Sequence, residues 1–412
     1  MREMKDSGIE WIGQIANTHK LVRLKYIAEI LDEYRKPVTA QYRNQNADIL
    51  YDYYGASGII DKIDGYTIDD HVMLIGEDGA NLKLRNLPLM YEVCGKAWIN
   101  NHAHILKPMK NMDFYYLFYA LEALDINNYI TGSAQPKLNQ ENLKEILIPL
   151  PSYGIQRKVA SYLDTKCSEI DATAEDIQKE ISLLEDYKKS VITEAVTKGL
   201  NPDAEMKDSG IEWVGKVPVT WKIMPNKYIM TKKKVIKEVY DDENIISLSM
   251  NGVIVRDLEA GGKMPKTFDG YQIVYPGNLL MCLFDYDVTP RCIGLIKDYG
   301  VTSPAYSQFV MNNDNYSGYY YYYYLMIDHA KTLLHLAKNL RHSFTEEQLG
   351  AILAPVPTVE EQYQIVNYLD TKCSEIDTLI ADKKRQLDTL ADYKKSLIYE
   401  YVTGKKEVPV NE

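Results

Sequence analysis

Tyr162-Leu163-Asp164-Thr165-Lys166-Cys167-Ser168-Glu169-Ile170-Asp171 returns letter for letter as Tyr368-Leu369-Asp370-Thr371-Lys372-Cys373-Ser374-Glu375-Ile376-Asp377. A second block, Asp186-Tyr187-Lys188-Lys189-Ser190, returns as Asp392-Tyr393-Lys394-Lys395-Ser396 at the same spacing of 206 residues. A constant period over so long a stretch marks a duplicated segment rather than a chance motif. Upstream, Met4-Lys5-Asp6-Ser7-Gly8-Ile9-Glu10-Trp11-Ile12-Gly13 recurs as Met206-Lys207-Asp208-Ser209-Gly210-Ile211-Glu212-Trp213-Val214-Gly215. The order is short block, variable middle, long helical pattern, and then the same again. The ends are alike and the middles are not, which suggests one scaffold carrying two different ligand surfaces.

The quoted blocks open and close a heptad pattern. In the first copy Leu163, Ile170, Ile177, Leu184 and Val191 recur every seven residues, with Ala160, Cys167, Ala174, Ile181, Lys188 and Ala195 as the companion ladder. In the second copy the ladders are Leu369, Ile376, Lys383, Leu390 and Leu397, with Val366, Cys373, Ile380, Leu387, Lys394 and Tyr401. Alternating steps of three and four are the seam of a coiled coil, interrupted here by Lys188, Lys383 and Lys394. A helix over about 155–197 would be roughly 65 Å long at 1.5 Å per residue. It cannot bury its seam alone, and its own copy is the available partner. The link from 197 to 206 is short, so the second helix has to run back along the first. That makes the pair antiparallel, with a middle at each end of a rod.

Each middle reads as mixed. In the first, Ile49-Leu50-Tyr51 and Val72-Met73-Leu74-Ile75 suggest strands and residues 113–124 an aromatic helix. In the second, Ile245-Ile246-Ser247-Leu248 and Gln272-Ile273-Val274-Tyr275 suggest strands, and residues 316–336 contain the matching helix. Prolines 149, 151, 355 and 357 stop the middles before the helices begin. The expected class is α+β: two globular domains joined by two long helices packed as an antiparallel coiled coil, with an internal pseudo-two-fold repeat. The expected divisions are 1–151, 152–205, 206–357 and 358–412.

Bulk properties bound the rest. The 412 residues carry a formal charge of −11, which by itself argues against a nucleic-acid partner unless one local face is basic. No apolar run approaches a membrane span, and no signal-peptide pattern opens the chain. Cys94, Cys167, Cys282, Cys292 and Cys373 contain no C-x-x-C pair and read as reduced thiols of a cytoplasmic protein. There is no G-x-x-x-x-G-K-[ST] phosphate loop and no Asn-Pro-Pro-Tyr or Asp-Pro-Pro-Tyr methylase motif. Glu205-Met206-Lys207 after Asp203 is too close to that Asp, and sits in a linker, to be a nuclease centre.

The residues resemble the specificity subunits of type I restriction-modification systems, over nearly the whole chain. The repeated Lys5–Gly13 block looks like that family's recurrent opening motif. Tyr54-Gly55-Ala56-Ser57-Gly58-Ile59-Ile60, Leu74-Ile75-Gly76-Glu77-Asp78-Gly79, Asn100-Asn101-His102-Ala103-His104-Ile105-Leu106 and Thr131-Gly132-Ser133-Ala134-Gln135-Pro136-Lys137-Leu138 look like one class of its target-recognition domains. Thr302-Ser303-Pro304-Ala305-Tyr306 and Arg341-His342-Ser343-Phe344 resemble another class. Glu361-Gln362 fits the family. The first copy departs with Ile155-Gln156, and Ala16 and His19 stand where the second copy has Pro218 and Trp221. The resemblance implies a non-catalytic reader without cofactor or metal. Each target-recognition domain would bind half of a split sequence in double-stranded DNA. The helices would fix the gap and dock two methyltransferase subunits, and restriction motor-nuclease subunits would join. The alternatives are a coiled-coil adaptor without DNA binding, or a DNA-modifying enzyme with an unrecognised active site.

Ser133, Gln135, Lys137 and Asn139 lie on or beside a loop; Gln and Asn can pair with adenine edges and Lys with guanine or phosphate, whereas the plain reading is a polar surface loop. Arg341, His342 and Ser343 hold the corresponding place in the second domain. Arg291, Lys263 and Lys266 could touch phosphate, although ordinary solvated charge is the simpler reading. Six consecutive tyrosines, 319–324, could stack on bases but read better as a core helix. His102 and His104 lack a third metal ligand nearby, Glu77-Asp78 reads as a turn, and Cys167 and Cys373 as seam packing.

Overall fold

A computed structural model describes residues 3–43, 49–132, 135–259, 265–336 and 343–409. It divides into two compact units, residues 1–178 with 385–412, and residues 179–384. Each unit therefore takes one middle segment, the opening turns of one long helix and the closing turns of the other. The long helices are Tyr153–Lys198 and Val359–Val402.

In the first unit the heart is a six-stranded mixed sheet. Its order is Ala28–Ile30, Ala103–Pro108, Ile68–Gly76, Met90–Ile99, Tyr51–Gly55, Gly58–Ile63. Only Tyr51–Gly55 beside Met90–Ile99 runs parallel; the other pairings are antiparallel. The apolar run Val72-Met73-Leu74-Ile75 explains its central place, because all four side chains are fully buried. Alternation sends Met73 and Ile75 into one apolar cluster and Val72 and Leu74 into another, on opposite faces. The aromatic helix, Phe114–Ala123, is capped by Asp113, whose carboxylate accepts from Tyr116 N. Its Tyr116, Leu117, Ala120 and Leu121 join Met73 and Ile75 in a core that also takes Leu163, Cys167, Leu397, Ile398 and Tyr401 from the long helices. The strand expected at 49–51 starts only at Tyr51, because the hairpin through Gly55 and Gly58 draws the pairing C-terminal.

In the second unit a four-stranded sheet has the order Met230–Lys233, Ser307–Met311, Leu279–Met281, Ile293–Leu295. Two further ribbons, Ile246–Ser249 with Gly252–Val255 and Gln272–Val274 with Gly300–Thr302, replace the larger sheet of the first unit. The tyrosine run falls on the helix Ser317–His329, and five of its six rings are buried, in keeping with a core role. That helix packs with Ile192 and Val196 from the end of the first long helix and with Val366, Leu369 and Cys373 from the start of the second.

The frame around the two middles is the same. Met4–Asp6 pairs with Gln14–Ala16, and Met206–Asp208 with Lys216–Pro218. Lys20–Arg23 pairs with Leu147–Leu150, and Lys222–Pro225 with Leu353–Val356. The seam lysines find partners. In the first unit Lys394 Nζ reaches both Asp171 oxygens at 2.6 and 2.7 Å. In the second, Lys188 Nζ reaches Asp377 at 2.6 and 2.7 Å, and Lys383 Nζ reaches Glu180 at 2.5 Å. In both units a late turn of one long helix lies against an early turn of the other. The two repeated blocks are thus the two halves of one clasp, Asp from the first and Lys from the second. Leu163, Cys167, Leu369, Cys373, Ile376 and Leu397 are buried, while Ile170, Ile177, Leu184 and Leu390 are half-buried.

Candidate nucleic-acid interface

Four motifs far apart in the first repeat meet at one end of the inner strands of its sheet. The Gly55–Gly58 turn lies against Gly76, where a Cβ would stand 2.8 Å from the Ala56 carbonyl oxygen, so only glycine admits the approach. Asn100 N donates to Tyr54 O at 3.1 Å, and Glu77 N donates to His102 O at 2.8 Å. Leu138 N donates to Glu77 O at 2.7 Å, and Gly79 N to Pro136 O at 3.1 Å. The loop between Thr131 and Lys137 is closed by two mutual backbone bonds of 2.8 Å. The strand ends thus fix the base of the loop, on which Gln135 is exposed.

Beneath the loop is a charge hub. Glu77 accepts from Arg35 Nη1 at 2.5 Å and pairs with Lys137 Nζ at 2.9 Å. Burial pushes the Glu77 carboxyl up, but the bonds from Arg35 and Lys137 outweigh it and hold it below the usual range. Asp32 accepts from Ile105 N at 3.1 Å, pairs with Arg35 Nη2 at 3.1 Å, and lies 2.7 Å from His104 Nδ1. Burial pushes Asp32 up as well, and His104 leads the groups that bring it below its ordinary value. His104, almost fully buried, also contacts Leu138 O through Nε2 at 2.8 Å. His102 Nδ1 lies 2.8 Å from Asp78 Oδ2. Both histidines are occupied by carboxylates, and among the described residues no cluster of ligands fit for a metal occurs. Glu77-Asp78 is therefore more than a turn: it anchors the loop.

The expected contact residues separate. Gln135 and Lys137 are exposed on the loop, Lys137 with its ammonium directed to Glu77. Asn139 has a different task, as N-cap of the helix Gln140–Glu145, its oxygen accepting from Asn142 N at 2.8 Å. An Asn just before a short helical pattern is the signal that points to this. Arg291 is not ordinary solvated charge. It donates to Ile293 O at 3.2 Å, Met250 O at 3.0 Å and Tyr321 Oη at 2.5 Å. Lys266 is exposed, and Ser343 is half-buried beside Phe344, which packs its ring against Tyr286. Ser133, Lys263, Arg341 and His342 lie outside the described residues. Sequence reading missed Asp32 and Arg35, since nothing local ties them to Glu77.

The repeated block is used in the same way twice. Asp370 accepts from Tyr322 Oη at 2.7 Å, and Asp164 from Tyr119 Oη at 3.5 Å. Gln362 and Gln156 each hold the N-terminus of the aromatic helix, accepting from Tyr316 N at 2.7 Å and Asp113 N at 2.9 Å. The departures in the first copy are coupled. Trp221 Nε1 donates to Glu361 at 3.1 Å, and where His19 replaces that indole, Ile155 replaces the carboxylate.

Residues 17–183 match the family model described as "Type I restriction modification DNA specificity domain". S.HindORF215P of Haemophilus influenzae, named for a type I restriction enzyme specificity subunit, is 32% identical over 141 residues, 34% of this chain and 35% of that protein. The type I restriction enzyme MjaVIII specificity subunit of Methanocaldococcus jannaschii is 24% identical over 336 residues, 76% of each chain. The chain thus spans about a third of the length of the first relative and three quarters of the second. A chain solved for "complex assembly" and "conformational transition of the type I R-M system" shares the fold, with a TM-score of 0.68 at 12% identity, over 95% of this chain and 99% of that one. Residues 17–183 thus resemble a type I restriction modification DNA specificity domain, and the chain as a whole is similar to type I restriction enzyme specificity subunits.

Proposed function

We propose that this chain is the sequence reader of a type I restriction-modification complex and performs no chemistry itself. Each unit reads one half of a bipartite site in double-stranded DNA. The two long helices set the gap between the halves and present the repeated blocks to two methyltransferase subunits, and motor-nuclease subunits complete the assembly in the cytoplasm. The observation that carries this reading is a constant frame around two different middles. The Asp–Lys clasps, the Tyr–Asp bonds and the buried Gln156 and Gln362 repeat, while the sheets they support do not. One partner type recognising the frame twice, and two DNA sequences recognised by the middles, fits that division.

In the first unit the reading surface is the loop through Gln135, with Lys137 able to leave Glu77 for phosphate or guanine. In the second it is the segment through Arg341, His342 and Ser343, with Lys263 and Lys266 reaching phosphate. The test is a band-shift series over salt concentration with methyltransferase subunits supplied. Specific retention of one duplex, weakening steeply with salt, is expected. Absence of binding to any duplex defeats the assignment. Gln135→Ala should relax preference at one half-site and leave the other unchanged.

A further inference from the structure

The second unit contains a cleft of about 440 Å³ lined by Lys188, Lys189 and Glu185 of the first long helix, Asp377 and Lys384 of the second, and Arg291 and His329 of the globular part. Four lining side chains are permanently cationic and two are carboxylates. Lys188 is spent on Asp377, leaving Lys189, Arg291 and Lys384 against Glu185. Lys189 pairs with Asp186 one turn before it, but both are more than half exposed, so that pair is weak and exchangeable. Arg291 is held by three bonds to Ile293 O, Met250 O and Tyr321 Oη, which use three of its five N–H groups and fix the guanidinium in place. Partial burial, then Arg291, Lys189 and Lys188, hold the His329 imidazole below its usual range against the pull of Asp328. These cations therefore act on one small volume, in a chain whose formal charge is −11.

The first unit has a cleft of its own, lined by Arg157, Lys158, Lys166 and Glu169, but the place equivalent to this one lacks one of the cations. At the 206-residue spacing Lys189 has its counterpart in Lys395, but Lys384 corresponds to Gln178. The aromatic helix there brings Glu122 within the influence of Lys394, a carboxyl that burial pushes up.

We propose that the cleft takes a backbone phosphate of duplex DNA, an interaction that the equivalent place in the first unit does not make. This rests on the DNA-reading assignment above. A fixed guanidinium flanked by mobile ammonium groups suits an oxyanion. The contributing residues come from three separate elements and include no glycine-rich cradle, which fits a passing backbone better than an enclosed nucleotide. Such an interaction positions the duplex and reads no base.

The experiment compares the full chain with a Lys189→Gln/Lys384→Gln double variant and a Lys395→Gln control, each with methyltransferase subunits supplied. The slope of log affinity against log salt should become shallower by about 0.9 for each phosphate that is no longer neutralised. Affinity should fall equally on specific and unrelated duplexes, with half-site preference and thermal unfolding unchanged. An unchanged slope in a double variant that still binds overturns the cleft proposal and leaves the DNA-reading assignment standing. An equal change in Lys395→Gln overturns it too, because the equivalent place in the first unit would then make the interaction as well. Calorimetric binding of inorganic pyrophosphate without any slope change would reassign the cleft to a free anion. A native chain that retains no duplex at any salt concentration defeats the assignment and the proposal together.

Discussion

Removing residues 172–178 from the first long helix and 387–393 from the second should shorten the gap between half-sites by about three base pairs. Both deletions fall between the clasps Asp171–Lys394 and Lys188–Asp377, so each Asp keeps its Lys. Seven residues at 1.5 Å remove about 10.5 Å of helix. Duplex DNA rises about 3.4 Å per base pair, which gives the figure of about three. The number seven matters. A heptad turns a straight helix to within about 20° of two full turns, so the seam still faces its partner. Five residues at 3.6 per turn would rotate one helix by roughly 140° and bring exposed residues onto the seam. The assay is competition binding to duplexes that keep both half-sites and vary the spacer one base pair at a time, with methyltransferase subunits supplied. A shifted optimum with unchanged half-site letters is expected. An unchanged optimum, or altered letters, would refute the idea that these helices measure the gap.

Three further outcomes follow from particular side chains. Glu77→Gln should lower stability by about 1–3 kcal/mol at neutral pH, since it removes the charged acceptor shared by Arg35 and Lys137. The Glu77 carboxyl is held low in the folded chain, so its contribution is complete above the unfolded value near 4.3 and vanishes as pH falls through the folded one. Urea midpoints of native and variant should therefore converge as pH falls from the unfolded value through the lower folded one, and a constant difference would rule out this charge as the cause. Tyr322→Phe should cost about 1–2 kcal/mol through loss of its 2.7 Å bond to Asp370, and Tyr119→Phe distinctly less, as its bond to Asp164 is 3.5 Å. Equal losses in chemical denaturation would contradict that ranking. Gly404→Ala should cost about 1–3 kcal/mol, read as a lower melting temperature, because Gly404 has φ +71° and its Cβ would meet His19 at 2.6 Å and Ala16 at 2.7 Å. Full tolerance would mean that this end of the helix is looser than the packing shows.

The sequence by itself determined the repeat, the long helices and the division into a constant frame and variable middles. Those features are written in consecutive residues: a heptad is a local period, and a duplicated block announces itself wherever it falls. The tyrosine run could be placed in a core for the same reason, since aromatic residues on a continuous helix face need covering. Tertiary structure alone decided what the seam lysines do. Along the chain Lys188, Lys383 and Lys394 only interrupt an apolar ladder; folded, they meet Asp377, Glu180 and Asp171, none of which stands on that ladder. The same holds for the candidate interface. Asp32, Arg35, Glu77, His104 and Lys137 are scattered over more than a hundred residues, and only the sheet order brings their charges within hydrogen-bond reach. Periodicity is short-range information carried by the backbone. Charge pairing across a sheet is long-range, and it exists only once the strands have chosen their neighbours.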